Sequence, residues 1–178
     1  MKVLWCITGA GHLLSEVLEL MEKKAKDGVS ITSVFSDAGF EVCGMYNILD
    51  NIREISDNII LESGQGKSFP FCGKIVKGIY DVILIAPATA NTVAKIRFGI
   101  ADSLVTNIAG QALKANHKVC ALPTDLVKFQ KTRIPSGRLI DIQMRDVDME
   151  NARALEKMGI KIFEDVEDIE KCEWFGSG

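Results

Sequence analysis

The chain opens with an apolar run and continues with apolar residues at helical spacing. Residues 2–7 form the run and Thr8–Gly11 interrupt it; from Leu13 to Met21, apolar residues recur every three or four positions among charged ones. A short apolar run that stops at glycine is typical of a buried strand, and the longer period is typical of an amphipathic helix. The pattern predicts strand, turn and helix in that order, with the helix ending at Gly28.

Strands and helices continue to alternate along the rest of the chain. Runs of β-branched or unbroken apolar residues predict further strands over 29–35, 81–86, 118–122 and 160–163. Helical spacing predicts helices over 38–61, between the Pro87 turn and residue 115, over 146–159 and over 166–172. This order predicts an α/β fold with a doubly wound, mostly parallel, Rossmann-like sheet between two layers of helices.

Three segments depart from this rhythm. Residues 63–70 carry glycine, serine and proline, and are predicted to form a mobile loop. Residues 124–137 form a polar, basic stretch, to which the pattern assigns no helix or strand. Ile140, Ile142 and Met144 alternate with polar residues, which is typical of a half-exposed edge strand.

Length and composition narrow the class of protein. The 178 residues fit a single domain over 1–178, and 47% hydrophobic with 25% charged residues is the balance of a globular chain. The apolar runs are shorter than the about 20 residues of a membrane span, and no secretory signal is recognisable. We therefore expect a cytoplasmic protein without a membrane partner. A net charge of −3 gives no overall attraction to nucleic acid.

The five cysteines are odd in number, and none lies within three residues of another. This spacing argues against a disulfide framework and against a CxxC metal site. Cys6 and Cys120 fall in predicted strands, where a cysteine is usually a small buried hydrophobic residue. The pattern assigns no role to Cys72.

Small polar residues and glycines cluster directly after three predicted strands, at Thr8–Gly11, Ser36–Gly39 and Pro87–Thr92. The carboxyl ends of parallel strands meet at one rim of a sheet, so these three loops are expected to converge. Unpaired N–H groups at the starts of the following helices favour an anion. The sequence predicts a phosphate-binding site at this rim.

A nicotinamide dinucleotide is a weaker candidate for this site. Gly9–Gly11 begins like the dinucleotide fingerprint and Asp37 could contact a ribose, but Leu14 occupies the third glycine position. The two histidines, His12 and His117, are predicted to be non-catalytic. A positive charge on His12 would be disfavoured at a helix N-terminus.

The third cluster carries the most specific pattern. It reads Ala-Pro-Ala-Thr-Ala-Asn-Thr over 86–92, with Lys-Ile at 95–96 and Gly-Ile-Ala-Asp-Ser-Leu at 99–104. Together with the first two clusters, it resembles the flavin signature of the homo-oligomeric flavin-containing cysteine decarboxylase superfamily over a core of residues 1–125. The resemblance implies FMN, often near a subunit interface of a trimer. The residues that it places at the cofactor are Thr8, Gly9, Ala10, Gly11, Ser36, Ala38, Pro87, Ala88, Thr89, Ala90, Asn91, Thr92, Asp102 and Ser103.

Two departures from that superfamily bear on the chemistry. Its decarboxylases carry a catalytic histidine between the second and third loops, but this chain has none between His12 and His117. Their substrate clamp has methionine and asparagine two and three residues after a proline. In this chain, Asp125 and Leu126 occupy those positions after Pro123. Peptidyl-cysteine or phosphopantothenoylcysteine decarboxylation is therefore the least favoured function, and no catalytic side chain is expected.

A narrower resemblance rests on Phe71–Lys74, on Pro123–Asp125 and on a predicted strand–helix–strand extension over 126–178. These features look like the archaeal flavoproteins called archaeoflavoprotein A. That group accepts electrons from reduced ferredoxin and is related to dihydromethanopterin reductases. The resemblance implies an FMN electron-transfer protein; the alternative is an FMN-dependent reductase of a pterin-type substrate. The basic residues Lys128, Lys131, Arg133 and Arg138 are either a ferredoxin-docking patch or a solvated loop.

Overall fold

The computed structural model describes residues 1–66 and 68–175. Its strands are β1 (Lys2–Ile7), β2 (Ser30–Phe35), β3 (Asn58–Leu61), β4 (Val82–Ala88), β5 (Val119–Pro123), β6 (Phe129–Arg133), β7 (Leu139–Gln143) and β8 (Ile160–Ile162). Its α-helices are α1 (Leu14–Lys26), α2 (Asp37–Met45), α3 (Leu49–Ile55), α4 (Cys72–Ile75), α5 (Ala90–Arg97), α6 (Leu104–Lys114), α7 (Asp146–Ala154) and α8 (Val166–Lys171).

Six strands form one sheet in the order β3-β2-β1-β4-β5-β8, and every neighbouring pair is parallel. The chain leaves β1 towards β3 and then returns to the other side of β1 with β4. The strand order therefore reverses between β1 and β4, which is where doubly wound folds bind their ligands. The predicted α/β fold with a mostly parallel, Rossmann-like sheet is confirmed.

Helices cover both faces of the sheet because the side chains of β1 alternate between two apolar cores. Leu4 and Cys6 point into the core that α5 and α6 complete. Trp5 and Ile7 point into the opposite core, which contains apolar residues of α1, α3 and α8. Val3–Ile7 are all fully buried, as expected for the central strand of a parallel sheet.

The helix predicted over 38–61 is wrong in extent. The segment contains α2, α3 and then β3, which pairs with β2 from Thr32↔Asn58 to Phe35↔Leu61. Asn47 adopts a left-handed conformation with φ of 57°, which ends the first helix. The apolar run at 59–61 gains more by extending the sheet than by continuing a helix, because pairing with β2 satisfies its backbone groups.

The half-exposed strand predicted around Ile140 and Ile142 is present as β7, whereas no strand was predicted in the basic stretch before it. The basic stretch contains β6, which pairs antiparallel with β7 from Phe129↔Gln143 to Arg133↔Leu139. This hairpin is separate from the six-stranded sheet, so β7 is not an edge strand of that sheet. The hairpin lies against the loop after β1 and is held by a 2.7 Å hydrogen bond from the Tyr46 hydroxyl to the Arg133 carbonyl.

The predicted loop at 63–70 begins within a 3-10 helix, Glu62–Gly64, and leads into α4. Lys67 lies outside the described residues, and the mobility of this loop stays a prediction. All five cysteines are free and buried, so the predicted burial of Cys6 and Cys120 is confirmed. Across residues 1–66 and 68–175, every helix is too short or too polar to cross a membrane.

Candidate functional site

A cleft of about 330 Å³ opens where the strand order reverses. The loops after β1, β2 and β4 all contribute to its wall, so the convergence predicted for the three polar clusters is confirmed. The residues that line it are Gly9, Ser36, Asp37, Ala38, Glu62, Thr89, Asn91, Thr92, Lys95 and Ser103.

Thr8 holds two of these loops together. Its buried hydroxyl donates to the Pro87 carbonyl at 2.7 Å and accepts from the Thr89 N–H at 2.9 Å. The Thr8 N–H also donates to the Pro87 carbonyl, at 3.3 Å. Thr8 is 1% exposed, so its side chain positions the loop after β4 and does not itself face the cleft.

Three helices begin at the cleft, and each starts with a capped turn. Ser36 Oγ accepts from the Gly39 N–H at 3.0 Å, Thr89 Oγ1 from the Thr92 N–H at 3.2 Å, and Ser103 Oγ from the Thr106 N–H at 3.3 Å. In each case the cap pairs with the third N–H of its helix. The first two N–H groups of a helix have no partner within it, so an anion in the cleft could accept from those of α2 and α5.

Close packing brings the loop after β1 and the start of α2 into contact. A Cβ atom built on Gly9 would lie 2.8 Å from the Ala38 Cβ, and one on Gly39 would lie 2.3 Å from the Ile7 carbonyl oxygen. Both distances are too short for a side chain. Glycine at these positions lets two of the three polar loops approach each other through their backbones.

The charged residues of the cleft are mixed in sign. Lys95 from α5 pairs with Asp102 at 2.9 Å, while Asp37 and Glu62 also contribute carboxylates. The half-buried Glu62 accepts a hydrogen bond from the Leu104 N–H at 3.2 Å. Burial raises the pKa of the Glu62 carboxyl above its usual value, and that hydrogen bond opposes the increase.

The sequence-predicted site residues divide into two groups. The cleft is lined by Gly9, Ser36, Ala38, Thr89, Asn91, Thr92 and Ser103. The others do not line it: Thr8, Pro87, Ala88, Ala90 and Asp102 lie within two residues of a lining residue in the sequence, whereas Ala10 and Gly11 line a separate cavity beside Tyr46 and the hairpin. Pro87 and Ala88 are buried, and the Ala88 carbonyl accepts from the Thr124 N–H at 3.0 Å.

Glu62 and Lys95 line the cleft but were not predicted as site residues. Glu62 directly follows β3, the strand that the sequence prediction merged into a helix. Recognising the run Asn58–Leu61 as a strand would have placed the residue after it at the same rim as the other loops. Lys95 lies one helical turn after Asn91, within the flavin-like motif of residues 86–104.

A second, larger cavity of about 640 Å³ lies at the carboxyl ends of β5 and β8. Its wall carries both charged groups, such as Arg153 and Glu164, and apolar ones, such as Leu126. His12, which follows the loop after β1, also lines it. Burial lowers the pKa of His12 below its usual value, although Glu16 and Asp125 oppose this effect.

The donors of the smaller cleft fit the phosphate of a flavin mononucleotide. Helix N-termini and small polar side chains are the usual partners of a phosphate, and glycines allow the backbone to approach it. A match to the family model named Flavoprotein extends over residues 1–175. The chain belongs to the Flavoprotein family. The family expected from the sequence motifs is thereby confirmed.

Three known proteins are similar to this chain over most of its length. An uncharacterized protein of Methanocaldococcus jannaschii is 39% identical over 174 residues, which are 96% of this chain and 93% of that protein. Dihydromethanopterin reductase (acceptor) of the same organism is 43% identical over 132 residues, 70% of this chain but only 54% of the reductase. The structure of Burkholderia xenovorans DmrB, a cubic protein cage for redox transfer in complex with FMN, superposes with a TM-score of 0.81; it is 26% identical and the match covers 95% of this chain and 91% of DmrB.

Proposed function

We propose that this flavoprotein is an FMN-dependent redox protein that accepts electrons from reduced ferredoxin and passes them to an acceptor reductase or a small substrate. The proposal is supported by the cleft between β1 and β4, where the strand order reverses and three capped helix N-termini meet. FMN is the cofactor, in line with family membership and with the FMN held by DmrB.

The residues of the cleft would hold FMN through its phosphate and ribityl chain. Unpaired N–H groups at the starts of α2 and α5 suit the phosphate, and the exposed amide of Asn91 with the hydroxyl of Ser36 suits the ribityl chain. When bound, FMN supplies the ability to accept and release electrons, and the polypeptide supplies binding, orientation and electrostatic tuning.

The hairpin offers a surface for an acidic electron donor. Lys131 and Arg133 lie on its exposed face, and Arg138 lies exposed in its turn. Two of the four basic residues have acidic neighbours: Lys128 pairs with Asp146, and Lys131 lies opposite Asp141. Ferredoxins are acidic, and complementary charge raises the rate of encounter more than it tightens the complex.

Anaerobic mixing with reduced ferredoxin, NADH or NADPH tests the proposal. Ferredoxin should bleach the flavin absorbance, and the rate should fall as salt rises, because exposed charges are screened beyond about 8 Å at physiological ionic strength. An Arg133→Glu, Arg138→Glu variant should be slower at low salt, and a Lys157→Glu variant, which changes an exposed lysine outside the hairpin, should not. Both should keep their FMN content and their reduction by dithionite. Reduction by a nicotinamide alone would refute the ferredoxin donor.

The larger cavity favours a second candidate function, reduction of a pterin-type substrate. The cavity combines apolar walls with carboxylates that could accept hydrogen bonds from the amino group of a pterin. The similarity to dihydromethanopterin reductase supports this candidate over the part of the chain that matches. A dihydropterin that reoxidises the pre-reduced flavin anaerobically would favour a reductase, and no reoxidation would favour a carrier that delivers electrons to another protein.

We also propose that the protein is a trimer-based homo-oligomer with FMN near a subunit interface. Phe98 and Ile100 are 65% and 48% exposed in the loop that joins α5 to α6, and both of these helices begin at the cleft. Exposed apolar side chains beside a ligand site are typical of an interface. Light scattering should find an oligomer that a Phe98→Asp, Ile100→Asp variant loses. An FMN-loaded monomer at micromolar concentration would refute this arrangement.

A further inference from the structure

The carboxyl group of Glu62 occupies a helix N-terminus inside the proposed flavin cleft. Its Oε2 atom accepts from the N–H of Leu104, the first residue of the eleven-residue helix α6. The N-termini of α2 and α5 also face the cleft and carry uncharged caps, Ser36 and Thr89. Asp37 is the first residue of α2, so carboxylates lie at two of the three helix starts; within residues 1–66 and 68–175, only that of Glu62 accepts a hydrogen bond from a first-turn N–H of these helices.

The surroundings of Glu62 do not neutralise it. The charged groups that act on its carboxyl are Asp37 from α2, Lys95 from α5, and Asp102 from the loop before α6. Lys95 is already paired with Asp102 at 2.9 Å, so its charge is shared. Two further carboxylates and one shared ammonium leave Glu62 in a locally acidic, half-buried position.

A phosphate bound in this cleft would add negative charge beside an ionised Glu62. The two anions would repel each other across a partly desolvated cleft, where Coulomb interactions are stronger than in water. The uncharged carboxylic acid would not repel the phosphate in this way. The acid could also donate its proton to a phosphate oxygen.

We propose that Glu62 is a specificity-determining residue of cofactor binding: its protonated form admits the phosphate of FMN and its ionised form opposes it, so that the protein holds FMN more tightly as pH falls. The inference rests on the proposed function, because it assumes that the cleft binds FMN.

The direction of the effect follows from linkage. Bound phosphate stabilises the protonated form of Glu62, so binding is coupled to uptake of a proton. Affinity is then highest at low pH and decreases as pH rises through the pKa of this carboxyl, which burial already raises. The phosphate of FMN has its own second ionisation near pH 6, and a variant without the Glu62 carboxylate shows the pH dependence that the phosphate alone produces.

Dissociation constants for FMN, measured by flavin fluorescence between pH 5 and pH 8, test the proposal. Glu62→Gln keeps an oxygen that can accept from the Leu104 N–H and removes the titration; Glu19→Gln makes the same chemical change on the exposed face of α1. We expect the wild-type protein and Glu19→Gln to lose more affinity across this range than Glu62→Gln, by a factor of about ten for each unit by which bound phosphate raises the pKa of Glu62. Riboflavin, which lacks the phosphate, should show no difference among the three proteins.

Parallel pH profiles for wild-type protein and Glu62→Gln would overturn the proposal while leaving the FMN assignment intact. Failure of the wild-type protein to bind FMN at any pH would overturn both. If Glu62→Gln does not fold, calorimetry of the wild-type protein in buffers of different ionisation enthalpy gives the answer. More protons taken up at pH 6–7 than the phosphate alone can bind would support the role of Glu62, and no such excess would refute it.

Discussion

Replacing Thr8 by valine tests how the loops after β1 and β4 are held together. Valine keeps the shape of threonine and fits a strand end, but it removes the hydroxyl that donates to Pro87 and accepts from Thr89. The Pro87 carbonyl keeps the Thr8 N–H as a donor at 3.3 Å, whereas no other acceptor for the Thr89 N–H is seen within residues 1–66 and 68–175.

The expected cost follows from this asymmetry. Leaving a buried donor without a partner costs about 1–3 kcal/mol, but the bond from the Thr89 N–H is only part-buried at the edge of the cleft, and the remaining bond to Pro87 limits the loss on the acceptor side. We therefore expect the free energy of unfolding to fall by about 1–2 kcal/mol, the lower part of this range. For a chain of this size, each kcal/mol lowers the melting temperature by about 2–4 °C.

Urea unfolding of the FMN-free protein, followed by circular dichroism, measures the effect. Thr32→Val is the matched control, since Thr32 is a buried strand threonine whose hydroxyl makes no hydrogen bond in the described part of the chain. The control should change stability by less than about 0.5 kcal/mol, the usual range of substitutions that break no specific interaction. If Thr8→Val and Thr32→Val unfold at the same urea concentration with the same slope, the hydroxyl of Thr8 does not join the loops.

Three further expectations concern the cofactor, pH and the core. Asn91→Ala and Thr92→Val should each weaken FMN binding by about 1–3 kcal/mol in fluorescence titrations, because both residues line the cleft. The flavin extracted from the wild-type protein should be FMN and not FAD. Unchanged flavin retention in both variants would contradict this. Since burial lowers the pKa of His12, the unfolded state binds a proton more readily than the native state, so stability should fall as pH drops through the usual histidine range, and His12→Gln should flatten this part of the stability profile. Ile108→Ala on α6 should cost about 2–5 kcal/mol of unfolding free energy, because its side chain is fully buried against the sheet, whereas Lys114→Ala at the exposed end of the same helix should be nearly neutral.

Much of the sheet could be predicted because its central strands are buried on both faces. Such strands read as unbroken apolar runs, and 82–86 or 119–122 leave little room for another interpretation. β3 was not predicted, because it is not buried on both faces. It has only four residues, is half-buried at an edge and directly follows a helix, so its apolar residues also fit the period of a longer helix.

The candidate site was predictable where its chemistry lies in one local motif. The helix caps Thr89 and Ser103 follow from a threonine between β4 and α5 and a serine between α5 and α6, each directly before a helix. Glu62 reaches the cleft only through the pairing of β3 with β2, which no local pattern reveals. β6 was missed because its basic residues alternate with few apolar ones, and the inner face of the hairpin is defined by contact with Tyr46 and the loop after β1.

The central position of β1 has a consequence for how the protein is made. Thr8 bonds to Pro87, 79 residues further along the chain. At about 5–20 residues per second, a ribosome needs about 4–16 s to synthesise that interval. During this time the apolar residues of β1 can pair with β2 alone. Since the cleft needs the loops after both β1 and β4, FMN can bind only to chains in which the first half is already assembled. It therefore cannot assist the earliest steps of folding.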